Sequence, residues 1–145
     1  MSIFMFLFVF FWFVLLAVST LAFMYGGYPE RAGTGIIIIG SVATAFLGLG
    51  SIIHVQQFEL GVLFTDSIVL LALVLLTLRS VRYWPLWATS FHAITVMTHV
   101  AALLSPQSVP RAYLVLQGFW IYPMFIAILL GIYGHRQSIR SAHNY

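Results

Sequence analysis

The stretch MSIFMFLFVFFWFVLLAVSTLAF, residues 1–23, is apolar from its third residue onward and decides the fold class of this chain. It has no basic segment of the kind that precedes the apolar core of a signal peptide. It is also long enough to cross a bilayer, which requires about 20 residues in a helix. We therefore predict that it is a retained transmembrane helix.

The rest of the chain has the same character. Of its 145 residues, 62% are hydrophobic and 6% are charged, which leaves too little polar surface to enclose a soluble core. The apolar runs are continuous rather than alternating, which disfavours β-structure. We predict a single all-α domain, an integral membrane bundle of five transmembrane helices. The helices are predicted at about residues 3–25, 33–53, 60–78, 86–104 and 112–133, with a short polar tail at 134–145.

The arginines predict the orientation. With five crossings, one side of the membrane receives Arg31, Arg79, Arg82, Arg136 and Arg140, and the other side receives Arg111. Because cytoplasmic loops carry the excess of basic residues, we predict a bacterial inner (cytoplasmic) membrane protein with its N-terminus outside and its C-terminus in the cytoplasm. Tyr83, Trp84 and Trp87 would form an aromatic belt at the inner face. The formal charge of +3 is scattered, so we predict no nucleic-acid binding. Membrane lipid is a predicted partner because the helices would lie in a bilayer.

Small residues mark one face of the second predicted helix. Gly40, Thr44 and Gly48 are spaced four apart, so they stack on one side and let another helix approach closely. We interpret them as helix-packing residues, whose partner is either a helix of this chain or one of another subunit.

Ionisable side chains within the third and fourth helices predict a polar cluster. Asp66 and His99 both lie about 8–9 Å below the outer ends of their antiparallel helices, at 1.5 Å per residue. A carboxylate in hydrocarbon needs a partner, so we predict that the two meet. Residues at a similar depth or at the rim complete the ligand- or proton-binding candidates, which are Asp66, His99, Gln117, His54 and Glu59. The alternative is that the pair only holds helices together.

The other histidines and Pro123 carry weaker signals. His92 is seven residues before His99, which places it in the inner half of the membrane, apart from the pair, with a backbone or threonine hydrogen bond as its expected contact. His135 and His143 are not surrounded by a sequence pattern typical of metal ligands. Pro123 removes a backbone hydrogen bond and is expected to bend the fifth helix near Phe119.

Known catalytic patterns are not found in the sequence. It has no cysteine, no H-E-x-x-H and no G-x-S-x-G, so no catalytic residue is predicted and an enzyme is disfavoured. The metal and the cofactor are unknown, and none is predicted. Haem b would need two axial histidines at matched depth on facing helices, and His99 lacks such a second histidine.

The order of several short motifs resembles that of small multi-pass membrane proteins in proteobacterial genomes. These motifs are the YPER turn after the first helix, the acidic residue early in the third, and YWPLW opening a helix that ends in SP. The resemblance implies membrane localisation and no particular activity.

Three functions remain open. The first is a non-catalytic integral membrane subunit or accessory protein of a larger inner-membrane complex, because the loops are short and there is little extramembrane mass. The alternative is a protein that binds or transports a small ligand, a proton or a cation through the Asp66/His99 cluster. A haem-binding electron carrier is the least favoured.

Overall fold

The computed structural model describes residues 3–50, 55–104 and 118–143, and for residues 3–4, 48–50 and 55–59 it describes the backbone alone. In these ranges every element of regular secondary structure is a helix, as the all-α prediction requires. The helices are α1 (Ile3–Tyr25), α2 (Tyr28–Gly50), α3 (Val55–Arg79), α4 (Trp84–Leu104) and α5 (Ile121–Ala142).

Four of the described helices, α1 to α4, are long and apolar enough to cross a membrane. They turn large apolar side chains outward, such as Phe13, Phe64 and Leu78, which are 68%, 69% and 78% exposed. Such surfaces suit lipid rather than water. The protein is therefore a multi-pass membrane protein. The described part of α5 is not among the four spans because its last third is polar, so the fifth crossing stays a prediction.

The helices pack in a ring. Each helix from α1 to α4 contacts the next where both are described, α4 contacts α5, and α5 packs back against α1 and reaches α2. The core between them contains Leu73, Met124 and Ile128, which are almost completely buried. Tyr122 lies near Phe10, and the Arg136 guanidinium lies 4.6 Å from the ring of Tyr25. These two contacts show that α5 runs parallel to α1.

The predicted starts of α2 and α3 were too late. α2 begins at Tyr28 instead of residue 33, because Pro29 is tolerated in a first turn and Glu30 suits the positive end of the helix dipole. The connection from α1 is therefore only residues 26–27. α3 begins at Val55 instead of residue 60. The polar residues at both starts were taken for loops, but polarity ends an apolar run without ending a helix.

The predicted polar tail was also wrong, because polar residues there continue a helix. α5 continues to Ala142 rather than stopping at residue 133, so most of the predicted tail belongs to the helix. Residues 112–117 of the predicted fifth helix lie outside the described residues. Pro123 lies in the first turn of α5, and the regular helix is interrupted at Trp120, next to Phe119 where the bend was predicted.

Gly40 brings α2 against α3. A Cβ atom added there would lie 2.5 Å from Cγ2 of Val69, which is closer than real side chains pack. The helix that uses this part of the small-residue face is therefore α3 of the same chain. Thr44 is half-buried, and nothing is described for Gly48 beyond its helical backbone.

Candidate functional site

Asp66 on α3 and His99 on α4 form a contact inside the bundle. His99 Nε2 lies 3.2 Å from Asp66 Oδ2, and the two side chains are only 9% and 15% exposed. The predicted proximity of the two residues is confirmed. Their role in binding a ligand or proton stays a prediction.

His92 approaches the same aspartate from the other direction. Its Nε2 lies 3.0 Å from the main-chain carbonyl oxygen of Asp66 and donates a hydrogen bond to it. In a helix the side chain leans toward the N-terminus and the carbonyl points toward the C-terminus. On the antiparallel α4, the carboxylate of Asp66 therefore meets His99, and its carbonyl meets His92. The expected backbone bond of His92 is confirmed, but the prediction that His92 stands apart was wrong.

The side chains of the other three candidates in the predicted cluster are not among those that the structure describes. Glu59 belongs to α3, but its side chain lies outside the described residues, as do His54 and Gln117 entirely. Among the described residues, no group of three or more histidine, aspartate or glutamate side chains could hold a metal ion. The described site is thus one carboxyl and two imidazoles.

A second polar cluster lies at the opposite end of the bundle, and we name it the Glu30 cluster after its central residue. Glu30 is completely buried. Its Oε2 accepts a hydrogen bond from the main-chain N–H of Gly27 at 2.9 Å, and its Oε1 accepts one from Nε1 of Trp84 at 2.8 Å. The carboxyl therefore joins the α1–α2 turn to the start of α4.

Arg82 and His135 complete the Glu30 cluster. Arg82 Nε lies 4.0 Å from Glu30 Oε1, and its Nη2 lies 3.0 Å from His135 Nδ1. Because a guanidinium can only donate, His135 Nδ1 is the acceptor. The cluster thus connects α2, the 80–83 connection, α4 and α5.

Trp84 is held between two glycines. A Cβ atom on Gly33 of α2 or on Gly131 of α5 would collide with its indole, so the ring lies flush against both helices. Trp84 is 5% exposed, whereas Tyr83 and Trp87 are 83% and 61% exposed. The predicted aromatic belt is therefore wrong for Trp84, which is a core residue because Glu30 satisfies its N–H.

The Glu30 cluster was missed by the sequence analysis, although one signal for it was present. Glu30 follows the first apolar run, while Arg82 and His135 stand near the same end of the predicted bundle. Depth counting of the kind that paired Asp66 with His99 would have placed these three at one level.

Comparison with known proteins assigns this chain to no family: no family model, no curated protein and no solved structure matches it. The resemblance to small proteobacterial membrane proteins stays a prediction.

Proposed function

We propose that this protein binds and transports a proton or a small cation through the Asp66–His99 pair. The observation that carries the proposal is the 3.2 Å contact between a carboxyl and an imidazole, both largely buried, on two helices able to span a membrane. Ionisable side chains within transmembrane segments are rare, and those that occur mark ion pathways and proton relays.

The depth of the pair supports this function. Gly40 and Val69 are in contact, so Asp66, one turn earlier on α3, is level with α2 about one turn beyond Gly40. Glu30 lies about 20 Å further along the bundle axis at 1.5 Å per residue. If the arginine-rich end at Glu30 marks one surface of a hydrocarbon core about 30 Å thick, Asp66 would lie within that core.

The charge of the pair explains why it would hold one cation. With the carboxyl ionised and the imidazole neutral, the pair carries one negative charge, and an isolated charge at this depth costs about 3 kcal/mol or more. One proton or one monovalent cation cancels that charge. Removal of the cation restores the unfavourable state, so binding and release alternate between a neutral and a negative pair.

Flux into liposomes tests this proposal. The purified protein is reconstituted into vesicles with an imposed pH gradient and an internal pH indicator, with sodium or potassium present in separate runs. The wild-type protein should collapse the gradient faster than protein-free vesicles, and Asp66→Asn should abolish the difference because it cannot carry the negative charge. Ser67→Ala is the matched control, since Ser67 is exposed and its hydroxyl bonds only to the carbonyl of Leu63.

Two outcomes would contradict the proposal. Wild-type vesicles that are no faster than protein-free vesicles in every salt would exclude proton transport and cation–proton exchange by the pair. Flux that persists unchanged in a folded Asp66→Asn variant would mean that the pair only fixes helix packing.

A second candidate is the non-catalytic subunit or accessory protein of a larger membrane assembly. The supporting observation is that the described connections α1–α2 and α3–α4 are only residues 26–27 and 80–83. A partner would have to bind laterally, and α3 offers an unbroken exposed apolar stripe, which consists of Leu60, Phe64, Ile68, Leu71, Leu75 and Leu78. Blue-native electrophoresis of mild-detergent extracts should then show co-migrating polypeptides. A stable, transport-active monomer would exclude this candidate.

The proposed location is the bacterial inner membrane, with the N-terminus outside, five crossings and a cytoplasmic C-terminus. Two observations support it. Five of the six arginines belong to the end of the bundle that carries the Glu30 cluster, and basic residues favour the cytoplasmic side. The parallel course of α5 and α1, from Phe10 and Tyr122 to Tyr25 and Arg136, extends over about 20 Å and so favours a fifth crossing.

A further inference from the structure

A groove of about 880 Å³ lies on the outside of the bundle between α4 and α5. Arg82 and Ser138 line it at one end, and Phe91 and Pro123 line it at the other. Ser138 and Pro123 are about 22 Å apart along α5. One leaflet of a bilayer, headgroups included, is about 20–22 Å thick. The groove therefore has the length of one leaflet.

Polarity changes along the groove as it does along a phospholipid. Toward Pro123 its walls are apolar and include Phe91, Ile126 and Leu130, of which Leu130 is 64% exposed. At the other end lie the guanidinium of Arg82 and the hydroxyl-bearing Ser138. An acyl chain suits the first part, and a phosphate suits the second.

Arg82 is held in position for such a phosphate. Its side chain is 25% exposed, and His135 fixes Nη2 at 3.0 Å. Gly134 lines the groove beside it, and Nη1 would lie 3.7 Å from a Cβ atom at that glycine. Since Gly134 has no side chain, nothing from that position covers Nη1, which can donate to a ligand in the groove.

The charge around the groove selects the headgroup. This end of the bundle carries Arg31, Arg79, Arg82, Arg136 and Arg140, and among the described residues Glu30 supplies its one side-chain carboxyl. An anionic headgroup keeps its net negative charge next to these cations, whereas a zwitterionic headgroup brings a cation of its own. We propose that the groove binds one anionic phospholipid of the adjacent leaflet, with its phosphate on Arg82 and one acyl chain along Phe91, Ile126 and Leu130.

Lipid retention by the purified protein tests this site. Native mass spectrometry in mild detergent compares phosphatidylglycerol with phosphatidylcholine of identical acyl chains. The wild-type protein should retain more phosphatidylglycerol than phosphatidylcholine, because the choline cation is repelled by the arginines. Arg82→Gln should weaken phosphatidylglycerol binding about tenfold, which is the size of one charge-assisted hydrogen bond. Arg140→Gln is the matched control, because Arg140 is an exposed arginine of the same helix end that does not line the groove.

A second pair of variants tests the apolar part without touching Arg82. Leu130→Ala should weaken both lipids about fivefold, because it removes buried contact with the acyl chain. Leu78→Ala, at an exposed leucine of α3 outside the groove, should leave both unchanged. Equal retention of the two lipids by the wild-type protein overturns the proposal, as does an equal loss in Leu130→Ala and Leu78→Ala. These readouts do not depend on whether the Asp66–His99 pair transports a cation.

Discussion

At the scale of single residues, the two clusters differ in how their polar atoms are satisfied. Glu30 accepts two hydrogen bonds from neutral N–H groups and has Arg82 at 4.0 Å. Asp66 has an imidazole as the partner of its carboxyl. The Glu30 cluster therefore connects separate segments through hydrogen bonds. In the Asp66–His99 pair, by contrast, both the carboxyl and the imidazole are groups that can accept a proton.

Trp84→Phe tests whether the hydrogen bond from Trp84 to Glu30 stabilises the protein. The substitution replaces the buried indole with a smaller phenyl ring and removes the N–H that donates to Glu30 Oε1, so a buried carboxyl oxygen loses its hydrogen-bond donor. We expect a loss of about 1–3 kcal/mol in the free energy of unfolding, measured by thermal or denaturant unfolding in detergent micelles. Trp87→Phe, at a tryptophan that is 61% exposed, should cost much less. Equal losses would mean that the bond to Glu30 contributes nothing.

The Asp66–His99 pair predicts a double-mutant cycle. His99→Leu leaves the buried carboxyl of Asp66 without its partner and should destabilise the protein by about 3 kcal/mol. Asp66→Leu combined with His99→Leu should recover part of that loss, because no unpaired charge remains. Unfolding free energies of the two single variants and the double variant measure the coupling.

His92→Leu is the comparison within the same helix. It removes a hydrogen bond to a main-chain carbonyl, which can also accept within α3, so we expect a loss of only about 1 kcal/mol. A loss as large as that of His99→Leu would contradict this expectation and would mean that the backbone hydrogen bond of His92 stabilises the protein as much as the contact between His99 and Asp66.

At the scale of helices, close approach at glycine positions determines which elements can pack. Gly40→Ala should separate α2 from α3, because the new methyl group meets Val69, and it should cost about 1–3 kcal/mol. Gly35→Ala is the matched control on the same helix, since a Cβ atom there meets nothing within 4 Å. We expect Gly35→Ala to be neutral or slightly stabilising. The measurement is the unfolding midpoint of each variant in the same detergent.

The second variant in this series separates a local clash from a general effect of the substitution. Gly40→Ala combined with Val69→Ala should regain stability relative to Gly40→Ala, because the smaller side chain makes room for the methyl group. No regain would show that the α2–α3 contact at this level does not limit the packing.

At the scale of the whole molecule, the number of crossings decides on which side each terminus lies. The chain has no cysteine, so single cysteines placed at positions 2 and 141 report accessibility without background labelling. With five crossings, a membrane-impermeant maleimide added to intact cells should label the Ser2→Cys variant and spare the Ser141→Cys variant. Labelling of both from the same side would mean an even number of crossings.

The sequence by itself determined the membrane environment, the helical class and the level of Asp66 and His99. Hydropathy is a property of consecutive residues, so the apolar runs of α1 to α4 could be read directly. Depth is equally readable, because rise per residue is constant and consecutive helices are antiparallel. The helix starts were less readable, since the polar first turns at Tyr28 and Val55 and the polar end after Gly134 belong to helices.

Only the tertiary structure decided which side chains meet laterally. Sequence counting leaves open how each helix is rotated about its axis and which helices are neighbours in the ring. Rotation turns the carbonyl of Asp66 toward His92, and the closure of α5 onto α1 and α4 brings His135 to Arg82. The burial of Trp84 between Gly33 and Gly131 depends on three helices at once. Such contacts arise from packing between distant segments, and no local pattern in the chain encodes them.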